Sequence, residues 1–108
     1  MLREVLRDNI DGLLLSIQKI GRAFEIFRGK NIDSSDIMEI KRLIHSLKGS
    51  LQSIGMHDEA AIAIALEEEV FRTLNHVEAS AVYISGQEVD SWFTRLNAIE
   101  FSLKGYLF

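Results

Sequence analysis

The chain has 108 residues, a length that fits one domain with a core of its own. It contains no cysteine, which excludes disulfides and thiolate metal sites, and no proline, which suits long unbroken helices. The formal net charge of −4 argues against non-specific nucleic-acid binding, and the charge is unevenly spread: residues 1–48 carry a net +2 and residues 49–108 a net −6.

In chain order, the first predicted element is a helix over roughly residues 2–28. Leu6, Ile10, Leu13, Ile17, Ile20, Phe24 and Phe27 alternate spacings of four and three, which is one apolar stripe of an amphipathic helix. Gly12 is a weak point within it, and Gly29-Lys30-Asn31 supplies the stop. Asp33 or Ser34 is expected to cap a second helix that runs to about Ile54 and is ended by Gly55. Asp58 is expected to cap a third helix over roughly 58–75, with Ala63, Leu66, Val70 and Leu74 inside. Residues 76–84 read as a loop, in which Val82-Tyr83-Ile84 has extended character but is too short to build a sheet. Ser85-Gly86-Gln87-Glu88 has the form of a capping box and opens a fourth helix to about residue 106, with Val89, Trp92, Leu96, Ile99, Leu103 and Tyr106 inward.

Four amphipathic helices with short connections imply an all-α fold, an antiparallel up-down four-helix bundle formed by residues 1–108 as a single domain. A monomer is expected rather than a dimer, although Phe101, Leu107 and Phe108 could serve a contact with a second copy. No apolar run approaches the about 18 residues of a membrane span. The N-terminus, with charges at Arg3, Glu4, Arg7 and Asp8, lacks the apolar segment of a secretory signal, so a cytoplasmic location without membrane contact is the natural reading.

The second helix carries the chemistry. Ile37, Ile40, Ile44, Leu47, Leu51 and Ile54 form its buried stripe, while Lys41, His45, Lys48 and Gln52 follow the same spacing on another face. His45 is therefore predicted to face solvent, with Lys48 one turn away. Arg42 and Gly49 flank this row. Gly49 is an anomaly, because a glycine inside a helix costs about 1 kcal/mol relative to alanine. That cost is understandable if a partner must approach closely beside the histidine.

His45-Ser46-Leu47-Lys48-Gly49-Ser50, followed by Gly55, resembles the phosphoacceptor motif of histidine phosphotransfer (HPt) domains, with the phosphoacceptor domain of chemotaxis-type histidine kinases as a relative. The resemblance is sharpest over residues 42–67. It implies a four-helix bundle that relays phosphate between a histidine kinase or a response-regulator receiver domain and a further partner, without turnover of its own. It further implies that His45 carries the phosphoryl group, that Lys48 stabilises the phosphoryl charge, and that Gly49 leaves room for the receiver. Leu66-Glu67 stands where the family has a Leu-Gln or Leu-Glu pair, whose polar member bonds the second ring nitrogen. Such a contact fixes the tautomer and makes the other nitrogen more nucleophilic. Arg42, three residues before the histidine, is similar to the chemotaxis-kinase variant. The chain departs from the family in Leu51 and Gln52, where small residues are frequent, and in Glu59, where an apolar residue is common.

Partner binding is assigned to Lys41, Arg42, Gly49 and Gln52, a basic face suited to the acidic pocket of a receiver domain. No cofactor is expected in this domain, and the magnesium ion of the reaction is expected on the partner. A di-iron bundle would need Glu-x-x-His pairs. The residues three before His45, His57 and His76 are Arg42, Ile54 and Thr73, so that pattern is absent. The alternatives kept are a phosphoacceptor domain of a larger chemotaxis-type or hybrid kinase, and an interaction module of the same fold that is not phosphorylated.

Overall fold

A computed structural model describes residues 2–75 and 81–107, with side chains described over 6–74 and 81–107. The order is α1 (Leu2–Phe27), β1 (Lys30–Asp33), α2 (Ser34–Ser53), α3 (His57–Asn75), β2 (Ala81–Ile84) and α4 (Gly86–Gly105). Each helix packs on two others, α1 on α2, α2 on α3, α3 on α4 and α4 on α1, which encloses one core.

The apolar stripes predict that core well. Ile10, Leu13, Ile17, Ile20, Phe24 and Phe27 of α1 are buried, as are Ile40, Ile44, Leu47 and Leu51 of α2. Ala63, Leu66, Val70 and Leu74 of α3 and Val89, Trp92, Leu96, Ile99 and Leu103 of α4 complete it. Phe24 is the aromatic centre of the α1–α4 contact, with its ring 5.1 Å from that of Trp92 and edge-on to Phe93 at 5.6 Å.

Local chemistry sets the helix ends. Asp33 caps α2 and accepts from the Asp36 N–H, while the Asp36 carboxylate reaches back to the Asp33 N–H. At the other end Gly55, at φ 79°, turns the chain in a left-handed conformation. Its N–H donates to Gln52 and the Met56 N–H to Leu51, which satisfies carbonyls that the helix end leaves open. Ser85 and Glu88 form the predicted box at the start of α4.

Four details correct the sequence reading. Residues 82–84 do build a sheet. β2 pairs antiparallel with β1, Ile32 opposite Val82 and Lys30 opposite Ile84. Ile32, Val82 and Ile84 turn inward and add to the core, which stabilises strands too short to persist alone. Lys30 and Asn31 therefore belong to a strand, and Gly29, at φ 67°, makes the turn after α1. Asp58 is not a cap, because α3 begins at His57 and the Met56 carbonyl already accepts the Ala60 N–H. Tyr106 is not inward; it is the C-cap residue just past α4 and is exposed, while Leu103 is buried and Leu107 packs partly against the core.

Glu59, where the resemblance leads one to expect an apolar residue, is buried all the same. Its carboxylate accepts from the Ser102 hydroxyl of α4 at 2.6 Å, so the polar group is satisfied rather than stranded.

Candidate functional site

With the stripe of α2 turned into the core, Arg42, His45, Gly49 and Gln52 are left on its outer face, and Lys41 and Lys48 on the shoulder towards α3. The His45 side chain is 72% exposed. Across from it, Leu66 of α3 is fully buried, and that anchors the next residue, Glu67, towards α2.

Glu67 stands between two groups of α2. Its Oε2 lies 3.2 Å from His45 Nδ1, and its Oε1 accepts from Lys48 Nζ at 2.8 Å. The Glu67 and Lys48 side chains are only 14% and 18% exposed. Burial alone would raise the pKa of Glu67; the hydrogen bonds from Lys48 and His45 outweigh it and hold the carboxyl below its ordinary value of 4.5. Glu67 is thus ionised at neutral pH and can only accept hydrogen bonds. The hydrogen of a neutral His45 ring therefore belongs on Nδ1, which leaves a lone pair on Nε2. Among the described residues no hydrogen bond engages Nε2, and the ring stands on the exposed face of α2.

Of the three consecutive glutamates, only Glu67 meets α2. Glu68 is exposed, and Glu69 faces α4, where it accepts from Ser91 and, at 2.7 Å, from Arg95. The charge run is in fact three residues in three different settings: Glu67 against α2, Glu68 in solvent and Glu69 against α4.

A Cβ placed on Gly49 would meet nothing within 4 Å. The space beside it belongs to a shallow open groove between α1 and α2, lined by Asn9, His45, Ser46, Gly49, Ser50 and Ser53. Sequence reasoning missed Asn9, Ser46 and Ser53. Asn9 lies on another helix, and no periodic signal links it to His45.

The remaining candidates lie around this group without joining it. Lys41 Nζ sits 5.0 Å from the centroid of the Phe71 ring. Arg42 is 66% exposed and clasps Glu39 of its own helix through both carboxylate oxygens, at 2.7 and 3.2 Å. The Gln52 side chain is exposed, while its carbonyl serves the Gly55 turn. His57 is exposed at the start of α3 and takes no part, and His76 lies outside the described residues. Among the described residues, no group of three or more His, Cys, Asp or Glu could hold a metal ion, and no helix is long and apolar enough to cross a membrane.

The family model of the Hpt domain matches residues 1–99. The chain therefore belongs to the Hpt domain family, whose chemistry is histidine phosphotransfer in phosphorelays. Neither the curated proteins nor the solved structures yield a match.

Proposed function

We propose that this domain carries a phosphoryl group on His45 Nε2 within a two-component phosphorelay. The observation that carries this reading is the pairing of an exposed His45 ring with an Nδ1 engaged by the ionised Glu67. In the forward step the Nε2 lone pair forms the N–P bond as the P–O bond of an aspartyl phosphate, or of ATP on a kinase, breaks. The leaving oxygen keeps the bonding electrons. The Nδ1 hydrogen stays in place, and Glu67 balances the positive charge that develops on the ring. Reversal hands the group to a receiver aspartate. Phosphoryl transfer of this kind rests on positioning and electrostatics, and the magnesium ion belongs to the partner.

The docking face comprises Lys41, Arg42, Gly49 and Gln52. The net positive charge of the first 48 residues steers it towards an acidic receiver pocket. We read residues 1–108 as one domain, a cytoplasmic monomer without its own cofactor or turnover. The four helices are read as an antiparallel up-down bundle, a course supported by the short connections and by the closed ring of helix contacts.

The test is phosphorylation. Wild type incubated with a phosphorylated receiver domain, or with a histidine kinase and ATP, takes up an acid-labile label, whereas His45→Gln takes up none and keeps its helical circular dichroism. Equal labelling of the two refutes the assignment. Arg42 favours a second reading with the same chemistry, the phosphoacceptor domain of a chemotaxis-type kinase, in which the kinase's ATP-binding domain labels His45 directly. An interaction module would bind the partner and take up no label.

A further inference from the structure

Resting on the reading of His45 as phosphoacceptor, we propose that Asn9 of α1 donates from its side-chain amide to the phosphoryl group on His45, so that the carried phosphate sits in the groove between α1 and α2.

The placement of the ring points to that groove. α2 packs on α3 along one flank and on α1 along the other. The Nδ1 edge of His45 is engaged from the α3 side by Glu67. On the α1 side the same side chain forms a wall of an opening of about 440 Å3, which is ample for a phosphoryl group. Asn9 lines that opening from α1, opposite Ser46, Gly49 and Ser53 of α2. Gly49 leaves the space between the two helices clear, since a Cβ there would touch nothing within 4 Å.

The lining of the opening is neutral, and it holds hydrogen-bond donors. A phosphoryl group brings negative charge, yet two cations of α2 near His45 are already held by carboxylates: Lys48 by Glu67 and Arg42 by Glu39. An asparagine amide offers two N–H donors and a serine hydroxyl one. Among the described residues the side chains of Asn9, Ser46 and Ser53 engage no partner, so their donors are open to a ligand. The serines sit on α2 itself and can turn back to a carbonyl one turn earlier, as Ser16 does to Gly12 in α1. Asn9 reaches in from the other helix. The one carboxylate nearby, Asp8, lines the continuation of the groove past Gly12 and Ser16 and not the part beside His45.

The test is the equilibrium of phosphate exchange with a receiver domain that labels wild type. Its constant is fixed by the free phosphorylated and unphosphorylated proteins, and docking affinity does not enter it. A bond made only to the phosphorylated form does enter it. Asn9→Ala should therefore shift the equilibrium towards the receiver by about 3- to 10-fold, the range of a hydrogen bond open to water. Asn9→Asp has the same shape but is acceptor-only and negative, and it should shift the equilibrium further. Asn9 is exposed, so both variants should keep the wild-type helical circular dichroism. If both variants change only the speed of approach and leave the end point as in wild type, Asn9 is a docking residue and the proposal is overturned.

A spectrum of the carrier alone is the second readout. In wild type labelled and then separated from its donor, one of the two Asn9 side-chain amide protons should move downfield relative to the unlabelled protein. Asn9 amide signals that stay in place on labelling overturn the proposal while the phosphocarrier reading stands. Absence of label on wild-type His45 refutes that reading, and the proposal falls with it.

Discussion

Gly49 offers a perturbation in which stability and transfer should move in opposite directions. The residue lies inside α2, outside the positive-φ region, and a Cβ there touches nothing within 4 Å. Gly49→Ala therefore meets neither strain nor clash and should gain the full propensity difference, about 1 kcal/mol. For a domain of this size that raises the thermal midpoint by about 4–8 °C, read from helical circular dichroism. Gly12→Ala in α1, with equally open surroundings, should gain a similar amount. The groove beside His45 should meanwhile fill as the side chain at 49 grows. Phosphotransfer should fall slightly in Gly49→Ala and severely in Gly49→Gln, with both variants still folded. An alanine variant no more stable than wild type would mean that the helix is strained at this point. Transfer by Gly49→Gln at the wild-type rate would mean that the open space has no part in docking.

Gly55→Ala should destabilise by about 1–2 kcal/mol, because φ 79° is costly for a residue with a Cβ, and a urea titration measures it. Arg42→Ala should change stability by less than about 0.5 kcal/mol, since its pair with Glu39 is exposed. It should nevertheless weaken receiver binding, as should Lys41→Ala, and both losses should shrink as salt is raised; a loss independent of salt would remove these cations from the docking face. Acid should unfold the domain in a defined sense. Burial raises the pKa values of Glu67 and Glu69, but hydrogen bonds from Lys48 and His45 and from Ser91 and Arg95, respectively, leave both below the ordinary 4.5. Their contribution is present above pH 4.5 and is lost as pH falls through their lower folded values. The urea midpoint should hold from about pH 7 to 5 and then decline, less steeply in Glu69→Gln; an unchanged slope in that variant counts against the Glu69 pairing.

The four helices, their buried stripes and the exposure of His45 were legible because each depends on residues three or four positions apart. The caps at Asp33 and Ser85 and the Gly55 turn were legible for the same reason, since their hydrogen bonds close within one turn. What only the tertiary structure decided depends on contacts between distant parts of the chain. Four-residue strands carry little local signal, so the pairing of Lys30–Asp33 with Ala81–Ile84 emerges only when Ile32, Val82 and Ile84 meet one core. Tyr106 continues the apolar spacing of α4 in sequence, yet it is exposed just past the helix end. Glu59 reads as a polar intrusion until Ser102 of α4 is placed beside it. Motif resemblance singled out Lys48 and Glu67 one at a time, each in relation to His45. That they bind each other follows from the packing of α2 on α3, which buries Leu47 and Leu66 and sets the adjoining ammonium and carboxylate 2.8 Å apart.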